Sequence, residues 1–118
     1  MKILLIEDDR DISELYQGIL RDNSFEVDFV YDGEEGMEKI VEGNFDILIV
    51  DIMLPSKDGL DILKDSRKKG YLKNKKVLVL SSIDRNDVVE ESENYGAQKY
   101  IVKSSVNPQE LVDIINNL

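Results

Sequence analysis

Three runs of this chain, Ile3 to Ile6, Ile47 to Val50 and Val77 to Leu80, are apolar at every position. Each is too short for a helix of ordinary length, and none alternates with polar residues. A strand that is apolar on both sides must be covered on both sides, which is the condition of a central strand in a parallel sheet packed between helices. The runs also end alike, on polar residues: Glu7-Asp8-Asp9 after the first, Asp51 after the second and Ser81-Ser82 after the third. A carboxylate such as Asp51 is out of place inside a buried strand. It is accommodated at the carboxyl end, where parallel sheets open into a ligand-binding crevice.

Between these runs the spacing becomes helical. Ile12, Leu15, Tyr16, Ile19 and Leu20 follow the first strand, with Asp11 and Glu14 placed as a capping box. Val27 and Phe29 alternate with Glu26 and Asp28, so the second strand has one protected face and belongs at an edge. Asp32-Gly33 opens a second helix carrying Met37, Ile40 and Val41, and Gly43-Asn44 closes it. Gly36 inside that helix costs ~1 kcal/mol relative to alanine, which predicts a loosely held element. Asp58 caps a third helix bearing Leu60, Ile62 and Leu63, ended by Arg67-Lys68-Lys69-Gly70. The fourth helix, Arg85 to Tyr95, has only Val88, Val89 and Tyr95 to bury among Glu90, Glu91 and Glu93, so its anchoring is weak. Tyr100-Ile101-Val102 makes a short strand between Lys99 and Lys103. Asn107-Pro108-Gln109-Glu110 then starts a last helix with Leu111, Ile114, Ile115 and Leu118 as its stripe.

Five strands alternating with five helices define an α/β domain, and right-handed crossovers give the sheet order 2-1-3-4-5. In that order the first and third strands are neighbours and the winding reverses between them, so Glu7, Asp8 and Asp51 emerge at one crevice. The 118 residues suffice for one domain without disulfides or a structural metal. No cysteine and no histidine is present. That excludes a thiolate site and the commonest zinc ligand, and it assigns any phosphohistidine chemistry to a partner. A net charge of −10 opposes binding of nucleic acid or an anionic membrane by this chain. No apolar run approaches the ~20 residues that span a bilayer, and the reading is cytoplasmic.

Carboxylates converging without a histidine or arginine among them repel one another, and either a raised pKa or a bound cation relieves this. Oxygen ligands with open positions suit Mg²⁺. The same crevice collects Ser81 from the fourth strand and Lys103 from the fifth. A nucleophilic carboxylate, a divalent metal, a hydroxyl and an ammonium suffice for phosphoryl transfer, in which positioning and charge neutralisation do most of the catalysis.

The stretches LLIEDD, DILIVDIMLPSKDGL, VLVLSS and GAQKYIVK, in this order and at these strand ends, resemble the receiver domain of bacterial two-component response regulators over residues 1–118. The resemblance implies a flavodoxin-like doubly wound sheet. It implies a phosphoacceptor that assists its own phosphorylation and dephosphorylation rather than an enzyme in its own right. Asp51 would take a phosphoryl group from a sensor histidine kinase or a histidine phosphotransfer protein. Asp8 and Asp51 would bind Mg²⁺ directly, with the main-chain carbonyl of Met53, and Glu7 mostly through water. Ser81 would contact the phosphoryl group, Lys103 would pair with it, and Tyr100 would reorient as Ser81 is drawn in. The surface of the fourth helix, fifth strand and fifth helix would then control an output partner or domain, and the family relation allows a phosphorylation-dependent homodimer. Met53 and Ile83 would flank the phosphoryl group as apolar neighbours, so slow self-dephosphorylation is expected.

One position departs from the pattern. Receivers usually follow the lysine with proline through a cis peptide bond, whereas this chain has Lys103-Ser104. Two geometries are open: a cis bond held by its surroundings at ~3 kcal/mol above trans, or a trans bond with a rebuilt turn. Two other classes fit less well. A hydrolase with an aspartyl-phosphate intermediate would place a second aspartate where Met53 stands. A flavin-binding module needs a glycine- and serine-rich phosphate loop where Glu7-Asp8-Asp9 would repel the ligand.

Overall fold

The computed structural model describes residues 1–118. Its elements are β1 (Lys2–Ile6), α1 (Arg10–Asp22), β2 (Glu26–Val30), α2 (Gly33–Glu42), β3 (Ile47–Val50), α3 (Gly59–Lys68), β4 (Lys76–Ser81), α4 (Asn86–Asn94), β5 (Lys99–Val102) and α5 (Pro108–Asn116), with a 3-10 turn at Lys103–Ser105. The sheet order is β2-β1-β3-β4-β5, the order expected from the alternation of elements. Every neighbouring pair is parallel.

Successive residues on a strand point to opposite faces, and the three apolar runs divide accordingly. Leu4, Ile6, Leu48, Val50, Val77 and Val79 pack with Ile40, Ile62, Leu63 and Val88 beneath α2, α3 and α4. Ile3, Leu5, Ile47, Ile49, Leu78 and Leu80 pack with Tyr16, Leu20, Leu111, Val112 and Ile115 beneath α1 and α5. Each such side chain contributes about 1.5–3 kcal/mol on full burial, so a polar residue within a run would forfeit that on one layer. Ile6 pairs with Val50 in register, and the Asp51 N–H closes the ladder onto the Ile6 carbonyl at 3.0 Å. Glu7 and Asp51 are therefore the next residues out at the same sheet edge.

Several local expectations change. The N-cap of α1 is Asp9, whose carboxylate accepts the Ile12 N–H at 3.1 Å, rather than Asp11. Asp9 holds extended backbone and the helix starts at Arg10, which leaves Asp11 in the first turn. The buried stripe of α1 is Ser13, Tyr16, Gln17 and Leu20. Gln17 donates to Ser13 Oγ, so two polar residues sit inside as a pair while Leu15 stands 52% exposed. Val41 of α2 is likewise 54% exposed, and on α5 it is Val112, not Ile114, that joins Leu111 and Ile115 in the core.

Gly36 has a packing role rather than marking a loose helix. A Cβ there would come within 2.6 Å of Ile6 Cδ1, so its absence lets α2 settle directly onto β1. The last two helices differ as their sequences indicate. The start of α5 carries a complete capping box between Asn107 and Glu110, while α4 has no side-chain cap at Arg85 and buries only Val88 and Ser92. No helix is long and apolar enough to cross a membrane.

Candidate functional site

The carboxyl ends of β1, β3, β4 and β5 meet at one edge of the sheet and bring Glu7, Asp8, Asp51, Ser81 and Lys103 together. Glu7 and Asp51 are almost fully buried, at 2% and 5% exposure. Lys103 reaches between them, its Nζ 2.7 Å from Asp51 Oδ2 and 2.5 Å from Glu7 Oε1. The remaining oxygens are held by backbone donors: Met53 N–H to Asp51 Oδ1 at 3.3 Å and Asp9 N–H to Glu7 Oε2 at 3.2 Å. Both buried carboxylates thus have the partners that burial demands.

Burial raises the Glu7 carboxyl from 4.5 to about 7; the Lys103 hydrogen bond pulls against this and the Asp51 charge adds to it. For Lys103 burial acts downward, but its hydrogen bonds to Asp51 and Glu7 outweigh it and the ammonium is held above its ordinary value. One carboxylate oxygen from each of Glu7, Asp8 and Asp51 lies within 4.8 Å of the others, and Asp8 is exposed. Three hard oxygen donors open to solvent on one side match the donor chemistry of Mg²⁺, which keeps several waters and takes few protein ligands. Three carboxylates face one ammonium here, so the donor set also has charge left for a divalent ion.

Two glycines and a loop fix Asp51. A Cβ on Gly59 would fall 2.1 Å from the Asp51 carbonyl oxygen, and the Gly59 N–H donates to the Ile52 carbonyl at 2.7 Å. Only glycine lets α3 begin this close to the end of β3. The intervening loop is tied to the start of α2, with Gly33 N–H donating to the Pro55 carbonyl and Glu34 N–H to Ser56 Oγ. Met53 stands 62% exposed on this loop, beside a cavity of about 510 Å³ lined by Asp8, Ile52, Leu54 and Leu60.

Ser81 is fully buried, and its Oγ accepts the Ile83 N–H at 3.2 Å. The half-buried Tyr100 donates its hydroxyl to the Ile83 carbonyl at 2.6 Å. Ile83, expected only as an apolar flank, therefore ties Ser81 to Tyr100 through its backbone, beside the direct approach of the Tyr100 hydroxyl to Ser81. Backbone polar groups carry that link, so no side-chain pattern in the sequence signals it. The geometry left open at Lys103-Ser104 resolves to a trans bond, since no peptide bond is cis. The chain turns through Lys103–Ser105 instead, with Ser105 Oγ donating to the Val102 carbonyl, and Lys103 reaches both acids from this turn.

The family model of the response regulator receiver domain matches residues 3–116. The chain belongs to this family, the receiver domains of two-component response regulators. Among curated relatives, it is 36% identical over 103 residues to the transcriptional regulatory protein DltR of Streptococcus agalactiae, covering 87% of this chain and 45% of that protein. It is 36% identical to the transcriptional regulatory protein CiaR of Streptococcus pneumoniae, with the same shares. The chain thus spans about half the length of the curated relatives it matches. Among solved structures, a CheY-like receiver domain protein from Methanospirillum hungatei aligns with a TM-score of 0.89 at 30% identity, covering 98% of this chain and 90% of that one. The BeF3-activated receiver domain of Klebsiella pneumoniae RstA gives 0.88 at 28%, covering 98% and 96%.

Proposed function

We propose that this chain is a phosphorylation-controlled switch in which Asp51 is the phosphoacceptor. The observation that carries this is the placement of Asp51: a buried carboxylate at the end of a central strand, hydrogen-bonded to Lys103 and within reach of the Glu7 and Asp8 oxygens. In keeping with the receiver family, the donor is a phosphohistidine on a sensor kinase or phosphotransfer protein; this chain has no histidine, so the phosphohistidine belongs to the partner. An Asp51 oxygen attacks the phosphorus, the phosphorus–nitrogen bond breaks, and the imidazole leaves with the electron pair. The product is an acyl phosphate. Glu7, Asp8, Asp51 and the Met53 carbonyl would hold Mg²⁺, which when bound supplies positive charge against the phosphoryl oxygens.

Lys103 gives up its bond to Asp51 Oδ2 and pairs with the incoming phosphoryl oxygens, a charge-assisted contact of the same kind. Ser81 Oγ turns from the Ile83 N–H toward the phosphoryl group, and Tyr100 follows because it is bonded to the same residue. The two-state element so biased is α4 with β5 and α5, of which α4 is the least anchored. An output domain or protein reads that surface, in keeping with relatives named as transcriptional regulators. The setting is the cytoplasm, where kinase and output meet. Incubation with Mg²⁺ and a small-molecule acyl phosphate, followed by intact mass measurement, tests the reading. The wild type is expected to gain one phosphoryl group and Asp51→Asn none; equal labelling of both would overturn it.

A further inference from the structure

Residues 64–76 carry seven of the chain's fifteen lysines and arginines and one of its twenty-five acids. That acid, Asp65, is already paired with Lys57. The segment forms the end of α3 and the loop into β4, at the pole of the sheet opposite Asp51. Lys64, Arg67, Lys68, Lys69 and Lys73 are exposed and have no carboxylate partner. These cations also frame a concavity. A hollow of about 390 Å³ lies between α3 and the end of α4, lined by Arg67, Lys73 and Lys75 with Leu72, Val77 and Tyr95. The Arg67 side chain lies across it, close enough that a Cβ on Gly96 would be 3.0 Å from Nη1. The Lys75 ammonium is turned to the carbonyls of Gly43 and Phe45, so its stem lines the hollow while its charge, paired with no acid, is held behind the wall.

Two exposed cations at the hollow without a salt-bridge partner, Arg67 and Lys73, one of them a guanidinium, with the Lys75 charge held behind them and Glu91 on the far side at the Tyr95 hydroxyl, favour an anion of more than one charge with tetrahedral oxygens. The volume is that of a small-molecule site, with apolar and aromatic walls on one side. A long polyanion is disfavoured by the −10 net charge of the whole chain, which repels it before contact. We propose that this hollow binds a polyphosphate group, carried by a nucleotide or as free diphosphate. Its occupant would bridge the end of α3 to Tyr95 and Gly96, where α4 passes into β5. The site is independent of the phosphoacceptor reading.

The test is an amide NMR titration of the ¹⁵N-labelled chain in magnesium-free buffer with inorganic pyrophosphate, inorganic phosphate and ADP in separate arms. Pyrophosphate and ADP are expected to shift residues 67–77 and 95–97, saturating near about 1 mM or below, with inorganic phosphate weaker. ADP tighter than pyrophosphate identifies a nucleotide, and equal binding identifies the phosphate group alone; both support the site. Arg67→Ala with Lys73→Ala should weaken binding about tenfold or more, while Lys64→Ala with Lys68→Ala, outside the hollow, should leave it within about twofold. All four positions are exposed, and a thermal melt of each variant confirms folding. Equal weakening by both pairs, or no shifts around the hollow at millimolar ligand, would overturn the proposal.

Discussion

The two poles of this sheet handle charge in opposite ways. At the carboxyl pole, Glu7, Asp51 and Lys103 are withdrawn from water and compensate one another over distances of 2.5 to 2.7 Å. At the amino pole, five cations stand in solvent without a salt bridge, and the one acid of their segment, Asp65, is paired with Lys57. Buried charge is costly to leave unpaired, and exposed charge is nearly free. The first pole therefore ties its charges to stability, while the second leaves them available to a ligand.

The largest effect that sharpens this contrast is expected from Lys103→Met. Removing the ammonium leaves Glu7 and Asp51 facing each other in a dry site, and urea unfolding in magnesium-free buffer should show a loss on the order of 3 kcal/mol. An unchanged midpoint would show that solvent, not Lys103, compensates the acids.

Glu7→Gln should act in the other direction. The Glu7 carboxyl titrates at about 7 in the folded protein against 4.5 unfolded. Its contribution is fully present below about pH 4.5 and is lost as pH rises through about 7, because ionisation is then harder in the folded state. The amide abolishes that titration while keeping an acceptor for Lys103. In magnesium-free buffer at pH 8 the variant should exceed the wild type by about 2 kcal/mol, and at pH 5 the two should converge. A pH-independent difference would contradict the desolvation account.

Smaller effects belong to the amino pole. Lys75 donates to two carbonyls and lies 4.7 Å over the Phe45 ring, so Lys75→Ala should cost about 1–2 kcal/mol in the same assay. Arg67→Ala with Lys73→Ala should stay within about 0.5 kcal/mol of the wild type. A large loss there would mean that these cations hold the fold together and erase the contrast between the poles.

Much of the carboxyl pole was legible in the sequence because its residues terminate strands. A fully apolar run must be central, and the polar residues at its carboxyl end must emerge at the crevice. Glu7, Asp8, Asp51 and Ser81 are placed by that rule, and Lys103 by its position at the end of the short fifth strand. The features that escaped depend on approach distances and backbone bonds. Gly36 reads as a weak point in a helix until Ile6 is seen against it. Leu15 and Val41 fit helical spacing, yet a stripe can rotate by one position when a pair such as Ser13 and Gln17 satisfies itself inside. The position of Lys103 between two acids depends on the turn at Ser104, which no spacing reveals. The basic segment was legible as charge but read only as a helix stop, since its hollow forms from α3, β4 and α4 together.

Phosphorylation at Asp51 leaves an acyl phosphate that can be located chemically. Borohydride reduction of an acyl phosphate converts the aspartate to homoserine, so peptide mass mapping after treatment with Mg²⁺, a small phosphodonor and borohydride reports the site directly. Homoserine at position 51 alone is the predicted result. Homoserine at position 8 or 9, or phosphate retained elsewhere with position 51 unmodified, would contradict it.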